Sequence, residues 1–213
     1  MSAKPRFITF TGIDAQTDLA RCEALSVRYP IEWGILFGGK LGKNRYPDDD
    51  VVARAVSADI QRAAHLSNAF AEEVNDGGGF DLAGHFDRIQ VNRATGCYNL
   101  DALAAFAPTI ATEVIVQHRS STFPEPISGL AFLQAQSGGR GQLPSYWAQP
   151  AHPEQMLGYA GGLSPDTVED AVRHMPAKHF WIDMETGIRT DDWLDLDKCE
   201  AVCRAIFGDG FPS

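Results

Sequence analysis

Lysine is scarce in this chain: Lys4, Lys40, Lys43, Lys178 and Lys198 are the five among 213 residues. None falls in a predicted strand, which disfavours a Schiff-base aldolase, a class that usually needs a strand-borne lysine. Cysteine is scarce too, at four: Cys22, Cys97, Cys199 and Cys203. No CxxC pair exists, and a disulfide framework is not expected in a chain of this size without a secretion signal. Cys199 and Cys203 share a helical stripe with Leu196 and Ile206, the pattern of core rather than of a metal pair. No run of about 18 apolar residues is present, so no transmembrane helix is expected. The opening MSAKPRFITF passes straight into a strand-like run and leaves no room for a signal peptide, so a cytoplasmic location is expected. Positive charge is short as well. Lys and Arg total 18 against 28 Asp and Glu, a net charge of -10, which argues against nucleic acid and an anionic membrane surface as partners.

Several motifs are missing. The stretch 38-GGKLGKN-44 fails the P-loop spacing, and Asn44 stands where Ser or Thr would bind magnesium. In 139-GRGQLP-144 Pro144 replaces the third glycine of a dinucleotide fingerprint. Neither a Gly-x-Ser-x-Gly elbow nor a His-Glu-x-x-His motif occurs. Nothing demands a cofactor or a metal. The expectation is none of either, although magnesium between Asp183 and Glu185 is compatible with the residue types.

What is present is alternation. Short apolar, β-branched or aromatic runs occur at 6–10, 31–37, 64–70, 86–91, 112–118, 130–135, 156–160 and 179–184. Helical stretches lie at 14–28, 48–62, 100–106, 164–174 and 195–207. Near-continuous apolar strands alternating with helices predict a parallel sheet covered by helices. Eight strands predict one small α/β domain over residues 1–213, a closed (β/α)8 TIM barrel. An open doubly wound sheet is the alternative. The third and fifth units are irregular. The third carries the glycine-rich 75-NDGGGFDLAGH-85, and the fifth, 119-RSSTFPEPISG-129, has two prolines and cannot hold a normal helix. A fifth unit without a helix would expose barrel surface, and a homodimer is one way to cover it. The aspartates of 48-DDD-50 and 191-DDWLDLD-197 read as helix starts and solvated loops. Trp147, Trp181 and Trp193 read as packing.

The stretch 158-GYAGGLSPDTVED-170 places two glycines before a helix start, where Ser164 can cap, Pro165 suits the first turn and Asp166 suits the dipole. Gly161 and Gly162 then serve either a tight strand-to-helix turn or a seat for a phosphate on bare backbone N–H groups.

Several landmarks together resemble phosphoribosylanthranilate isomerase. The segment 8-ITFTGID-14 resembles that family's first strand and loop, and 136-QSGGRGQLPSYW-147 its glycine-rich loop after strand six. GGLSPDTVEDAV resembles its strand-seven loop and helix, and 181-WIDMETGIRTDDWLDLDKCEAV-202 its last strand, loop and helix. The resemblance is strongest over about the last 85 residues. It implies a barrel whose three glycine-bearing loops bind a substrate phosphate: Gly139 and Gly141, then Gly161 and Gly162, then Thr186 and Gly187. It also puts Thr11 where the family has its cysteine base and Gln134 where it has its aspartate acid, and it matches the family's substrate-binding arginine to Arg45. Threonine is not a useful base near neutral pH and glutamine does not exchange a proton. Losing both groups removes about four orders of magnitude, if each supplies about 10²–10⁴-fold. Little isomerase activity on the family's substrate is therefore expected.

The expected ligand is a phosphorylated small molecule of sugar type. Strand ends offer Thr11, Asp14, Asn68, Asn92, His118, Gln134, Gln136, Asp183 and Glu185. Of these, Asp183, His118 and Glu185 are the proton-transfer candidates, Gln134 and Thr11 orienting groups, and Arg45 and Asp14 substrate-binding ones. His118 ends an apolar strand, as an acid or base or as a hydrogen-bonded rim histidine. Asp183 and Glu185 are two apart and share one strand face. A carboxylate between Ile182 and Met184 is expected to be buried, with a raised pKa or a structural partner such as Arg189. His65 opens a strand-like run and is expected nearer the opposite face. The function classes in play are an isomerase, epimerase or lyase on a phosphorylated substrate, a non-catalytic phosphate-ligand-binding barrel, and a phosphoribosylanthranilate isomerase with relocated acid and base.

Overall fold

A computed structural model describes residues 3–39, 43–110, 113–136 and 141–210. Eight parallel strands close into a barrel: β1 (Ile8–Thr11), β2 (Ile31–Phe37), β3 (Arg62–Ser67), β4 (Arg88–Asn92), β5 (Glu113–His118), β6 (Leu130–Ala135), β7 (Met156–Ala160) and β8 (His179–Met184). Closure is made by β1, which pairs with both β2 and β8. Among the described residues six α-helices accompany the strands: α1 (Leu19–Arg28), α2 (Asp49–Ser57), α3 (Ala69–Asn75), α4 (Leu100–Phe106), α5 (Val168–His174) and α6 (Leu196–Phe207). A two-residue hairpin, β9 (Arg189–Thr190) with β10 (Trp193–Leu194), follows β8. The fold is therefore a small (β/α)8 barrel, as the strand spacing predicts.

Alternation along each strand divides the core in two. Outward residues such as Ile8, Phe10, Trp33, Ile35 and Phe180 join the helices in the large apolar layer. Inward residues Ile115, Ala131, Leu133, Ala135 and Trp181 form a smaller cluster inside the barrel. The capping aspartates behave as their sequence positions predict. Asp48 accepts from the Val51 N–H and Asp195 from the N–H groups of Asp197 and Lys198. Leu196, Cys199, Cys203 and Ile206 are buried along α6.

Four expectations need correction. The third strand begins at Arg62 and ends at Ser67, so Ala69 and Phe70 belong to α3 rather than to the strand. The helix after β7 begins at Val168, not Ser164. Residues 164–167 form a turn in which Thr167 N–H and Val168 N–H both donate to the Ser164 carbonyl. The sixth unit is as irregular as the fifth: among the described residues, no helix lies between β5 and β6 or between β6 and β7. Finally, the fifth unit does not leave the barrel bare. The two connecting loops join each other through Phe123 N–H to the Gln149 carbonyl at 2.8 Å and Gln149 N–H to the Ser121 carbonyl at 2.8 Å. They bury Phe123 and Ala148 over the outer faces of β5, β6 and β7.

Candidate active site

The lower half of the barrel is filled by a buried ion pair. Arg88, from β4, forks onto Glu32, from β2, with both N–O distances 2.7 Å. The Thr9 hydroxyl donates to the same carboxylate at 2.9 Å. The guanidinium lies 4.4 Å from the Trp181 ring and 4.7 Å from Phe7. Burial alone would raise the Glu32 pKa, but the Arg88 charge and hydrogen bonds hold it below the ordinary value.

Above this floor the strand ends open into a small cavity of about 90 Å³, below the roughly 300–1,000 Å³ of most small-molecule sites. Polar side chains enter it from one side: His65 of β3, Gln90 and Asn92 of β4, Gln117 of β5, and Asp183 with Glu185 at the end of β8. The opposite wall is small and apolar, with Leu133 and Ala135 of β6 and Ala160 of β7. The rim is made by Gly141, Gly161, Gly162, Leu163, Thr186 and Gly187.

The three rim loops touch through glycine. A Cβ on Gly162, whose φ is +63°, would sit 2.2 Å from the Leu143 nitrogen, and one on Gly187 would sit 2.0 Å from the Leu163 carbonyl oxygen. Gly141 lies against Thr186. Among the described residues, the backbone N–H groups of Gly161, Gly162, Thr186 and Gly187 donate to no acceptor. Backbone donors clustered at a cavity edge are the groups that anion-binding concavities use in general. Gly139 lies outside the described residues.

Asp183 faces the cavity and is 9% exposed. Its Oδ1 accepts from the Thr11 hydroxyl at 2.8 Å. Burial pushes its pKa up to about 6, against the pull of the Thr11 hydroxyl. Thr11 is itself buried behind Asp183. Arg189 does not pair with Asp183; it bonds instead to Asp14 and to the carbonyls of Gly12 and Asp192.

Other predicted residues are placed elsewhere. Glu185 reaches the cavity but is ion-paired with Arg45, which also holds Asp192. Each group therefore neutralises the other at the rim, and neither charge stands free. Asp14 is fully buried outside the cavity. It accepts from Arg189 at 3.2 Å, Leu194 N–H at 2.7 Å, Gln16 N–H at 3.1 Å and the Thr17 hydroxyl at 3.0 Å, tying the first loop to the β9–β10 hairpin. His118 and Gln134 occupy outward positions, because the inward ones on β5 and β6 are 115 and 117, and 131, 133 and 135. His118 Nε2 contacts the Thr122 carbonyl at 2.7 Å and its ring stacks on Phe123. Burial lowers its pKa. Gln134 donates to the Tyr146 carbonyl at 2.9 Å and accepts from the Ala148 N–H at 2.8 Å. Both residues anchor the loops that stand in for helices, and neither side chain enters the cavity.

His65 was expected near the opposite face, and instead lines the cavity. The true start of β3 at Arg62 makes it an inward, mid-barrel position. Gln90 and Gln117 are further cavity residues that the strand-end reading did not select. The signal was available: Glu32, His65, Arg88, Gln90 and Gln117 are polar residues at alternating positions within otherwise apolar strands. Beside the cavity, and sharing Asn92, Gln117 and Glu185 with it, lies a recess carrying Lys43, Arg45, Arg93 and Arg119. Among the described residues no group of three His, Cys, Asp or Glu side chains has the arrangement of a metal site.

No protein-family model matches the sequence, and no curated protein matches it by sequence. Solved structures do match. Phosphoribosylanthranilate isomerase from Thermotoga maritima superposes with a TM-score of 0.62 at 15% identity, covering 95% of this chain and 99% of that one. N-(5'-phosphoribosyl)anthranilate isomerase from Pyrococcus furiosus gives 0.61 at 12% identity, covering 94% and 98%. A phosphoribosylanthranilate isomerase in complex with reduced 1-(o-carboxyphenylamino)-1-deoxyribulose 5-phosphate gives 0.58 at 17% identity, covering 96% and 99%. The chain shares the barrel fold of these enzymes over nearly its full length, at low sequence identity.

Proposed function

We propose that this barrel is an enzyme that binds a phosphorylated, sugar-like small molecule at its mouth and moves a proton on it through Asp183. The observation that supports the reading is that Gly161, Gly162, Thr186 and Gly187 line the cavity that Asp183 faces, and that among the described residues their backbone N–H groups have no loop or turn acceptor. An isomerase, epimerase or lyase fits this arrangement. Efficient turnover of phosphoribosylanthranilate does not. The β6 positions facing the cavity are Leu133 and Ala135, so no acid enters from that strand, and Thr11 takes the place that the family resemblance gives to the cysteine base.

The test is a thermal-shift screen with inorganic phosphate and a panel of phosphorylated sugars, each beside its unphosphorylated partner. A ligand at 100 times its Kd stabilises the fold by about 2.7 kcal/mol. A shift confined to phosphorylated compounds is expected; equal response to both members of every pair overturns the phosphate seat. A second reading, a binding barrel without catalysis, draws on the Glu185–Arg45 pair, which leaves Asp183 as the one unpaired carboxylate in the cavity among the described residues. Loss of turnover in Asp183→Asn, with binding retained, decides for the enzyme. A third reading, a phosphoribosylanthranilate isomerase with relocated acid and base, is tested by complementation of a tryptophan-requiring strain lacking that enzyme; failure is expected.

A further inference from the structure

His65 is the buried histidine of this protein among the described residues, at 2% exposure. It faces the barrel interior from the middle of β3 and lines the same cavity as Asp183. Its Nε2 is fully buried and has no hydrogen-bond partner. An unsatisfied buried polar atom of this kind is destabilising, so its presence in a cavity wall calls for an explanation.

Gly34, on the strand between, keeps the approach open. A side chain there would lie 3.1 Å from His65 Nε2 and 2.6 Å from the Thr11 hydroxyl. The charged groups around the ring are Glu32 from β2, Arg88 from β4, and Glu185 with Asp183 from the end of β8. Of these, Glu32 and Arg88 already satisfy each other. Burial pulls the His65 pKa down to about 4, so the ring is neutral near pH 7. A neutral imidazole offers one N–H donor and one lone pair. Asp183, by contrast, is an acceptor when ionised. The cavity therefore holds a neutral donor and a carboxylate on separate strands, the pairing that enolisation chemistry uses.

Resting on the phosphate-ligand reading above, we propose that His65 donates a hydrogen bond to the carbonyl oxygen of an open-chain aldose or ketose phosphate while Asp183 takes the proton from the neighbouring carbon. The C–H bond breaks, its electron pair forms the C=C bond of an enediolate, and the carbonyl pair moves onto the oxygen held by His65. Asp183 keeps the proton and returns it either to the carbon it came from, which restores the substrate carbonyl, or to the former carbonyl carbon, in which case the hydroxyl proton of the neighbouring oxygen passes to the oxygen held by His65 and a carbonyl forms in its place. Nothing is oxidised or reduced overall, and no co-reactant is needed. The substrate class is an α-hydroxy carbonyl compound bearing a phosphate.

The experiment uses the whole chain, ¹⁵N-labelled, with His65 ring signals assigned through His65→Gln. Inorganic phosphate is added first, then ribulose 5-phosphate, glucose 6-phosphate and related sugar phosphates in D2O, and deuterium entry beside the carbonyl is followed. Sugar phosphates, but not inorganic phosphate, are expected to move the His65 ring signals. His65→Gln is expected to slow deuterium entry by about 10²–10⁴-fold while the thermal shift with inorganic phosphate persists. Ring signals unmoved by every sugar phosphate that stabilises the protein overturn the role of His65 alone. Deuterium entry unchanged in His65→Gln does the same. No stabilisation by inorganic phosphate or any sugar phosphate removes the phosphate seat, and this inference with it.

Discussion

Asp183 shows how the burial of one side chain ties stability to pH. Its folded-state pKa of about 6 lies above the ordinary 3.8. The group therefore stabilises the fold fully below pH 3.8, and that contribution is lost as pH rises through 6. The ionised form costs on the order of 2–3 kcal/mol at neutral pH relative to an unshifted carboxyl. Asp183→Asn is neutral throughout and still accepts from Thr11. It is expected to be more stable than the parent by about 1–3 kcal/mol at pH 8, with the advantage shrinking toward pH 4, in urea titrations at both values. His65 moves in the opposite sense: its contribution is present above pH 6.5 and lost as pH falls through about 4. It does so in both proteins, so the difference isolates Asp183. The cysteines give a second residue-level outcome. Cys22, Cys199 and Cys203 are buried with raised pKa values, and Cys97 is exposed. A thiol reagent is expected to modify Cys97 alone in the native protein and all four cysteines in denaturant. Asp183 was legible in the sequence because a carboxylate between apolar neighbours stands out. His65 carried the same signal of a polar residue among apolar ones, but its height in the barrel hung on where β3 starts, and a start at Arg62 rather than Ala64 moves it from the strand's opening to its middle.

At the scale of elements, the two helix-less connections explain the placement of His118 and Gln134. A helix satisfies its own backbone; a loop laid over a sheet must find partners elsewhere. Gln134 supplies two of them, to Tyr146 and Ala148, and His118 another, to Thr122. Gln134→Leu is expected to destabilise the protein by about 2–4 kcal/mol, because it strands a buried N–H and a carbonyl, while phosphate binding in the folded protein persists. The rim loops give the converse outcome. Gly162→Ala forces a Cβ into the Leu143 backbone at a positive φ, and it is expected to cost about 1–3 kcal/mol and to abolish the thermal shift with phosphate. The eight strands were legible from apolar runs, and the fifth connection from its prolines. The sixth carries the same signal in Pro144, Pro150 and Pro153, within 136–155. The three glycine loops were legible from composition, but their mutual contact depends on barrel closure.

At the scale of the molecule, the barrel encloses two media. Helices and outward strand residues form one continuous apolar layer, whereas the interior combines a small apolar cluster with a stack of polar side chains. The stack is anchored by Glu32–Arg88, a buried pair whose value depends on both members. Arg88→Met alone is expected to cost about 3–5 kcal/mol by leaving the Glu32 carboxylate uncompensated. Glu32→Gln combined with Arg88→Met is expected to recover much of that loss in chemical denaturation.

The sealed floor also governs traffic. Arg88, sandwiched against Trp181 and Phe7 and clamped by Glu32, packs the barrel below Asp183, and among the described residues the cavity at the mouth is the approach to that carboxylate. A molecule seated under the three rim loops would stopper that mouth. Under the proposed function, a proton that Asp183 took from such a guest would be shielded from bulk water, and its isotopic label would survive the transfer.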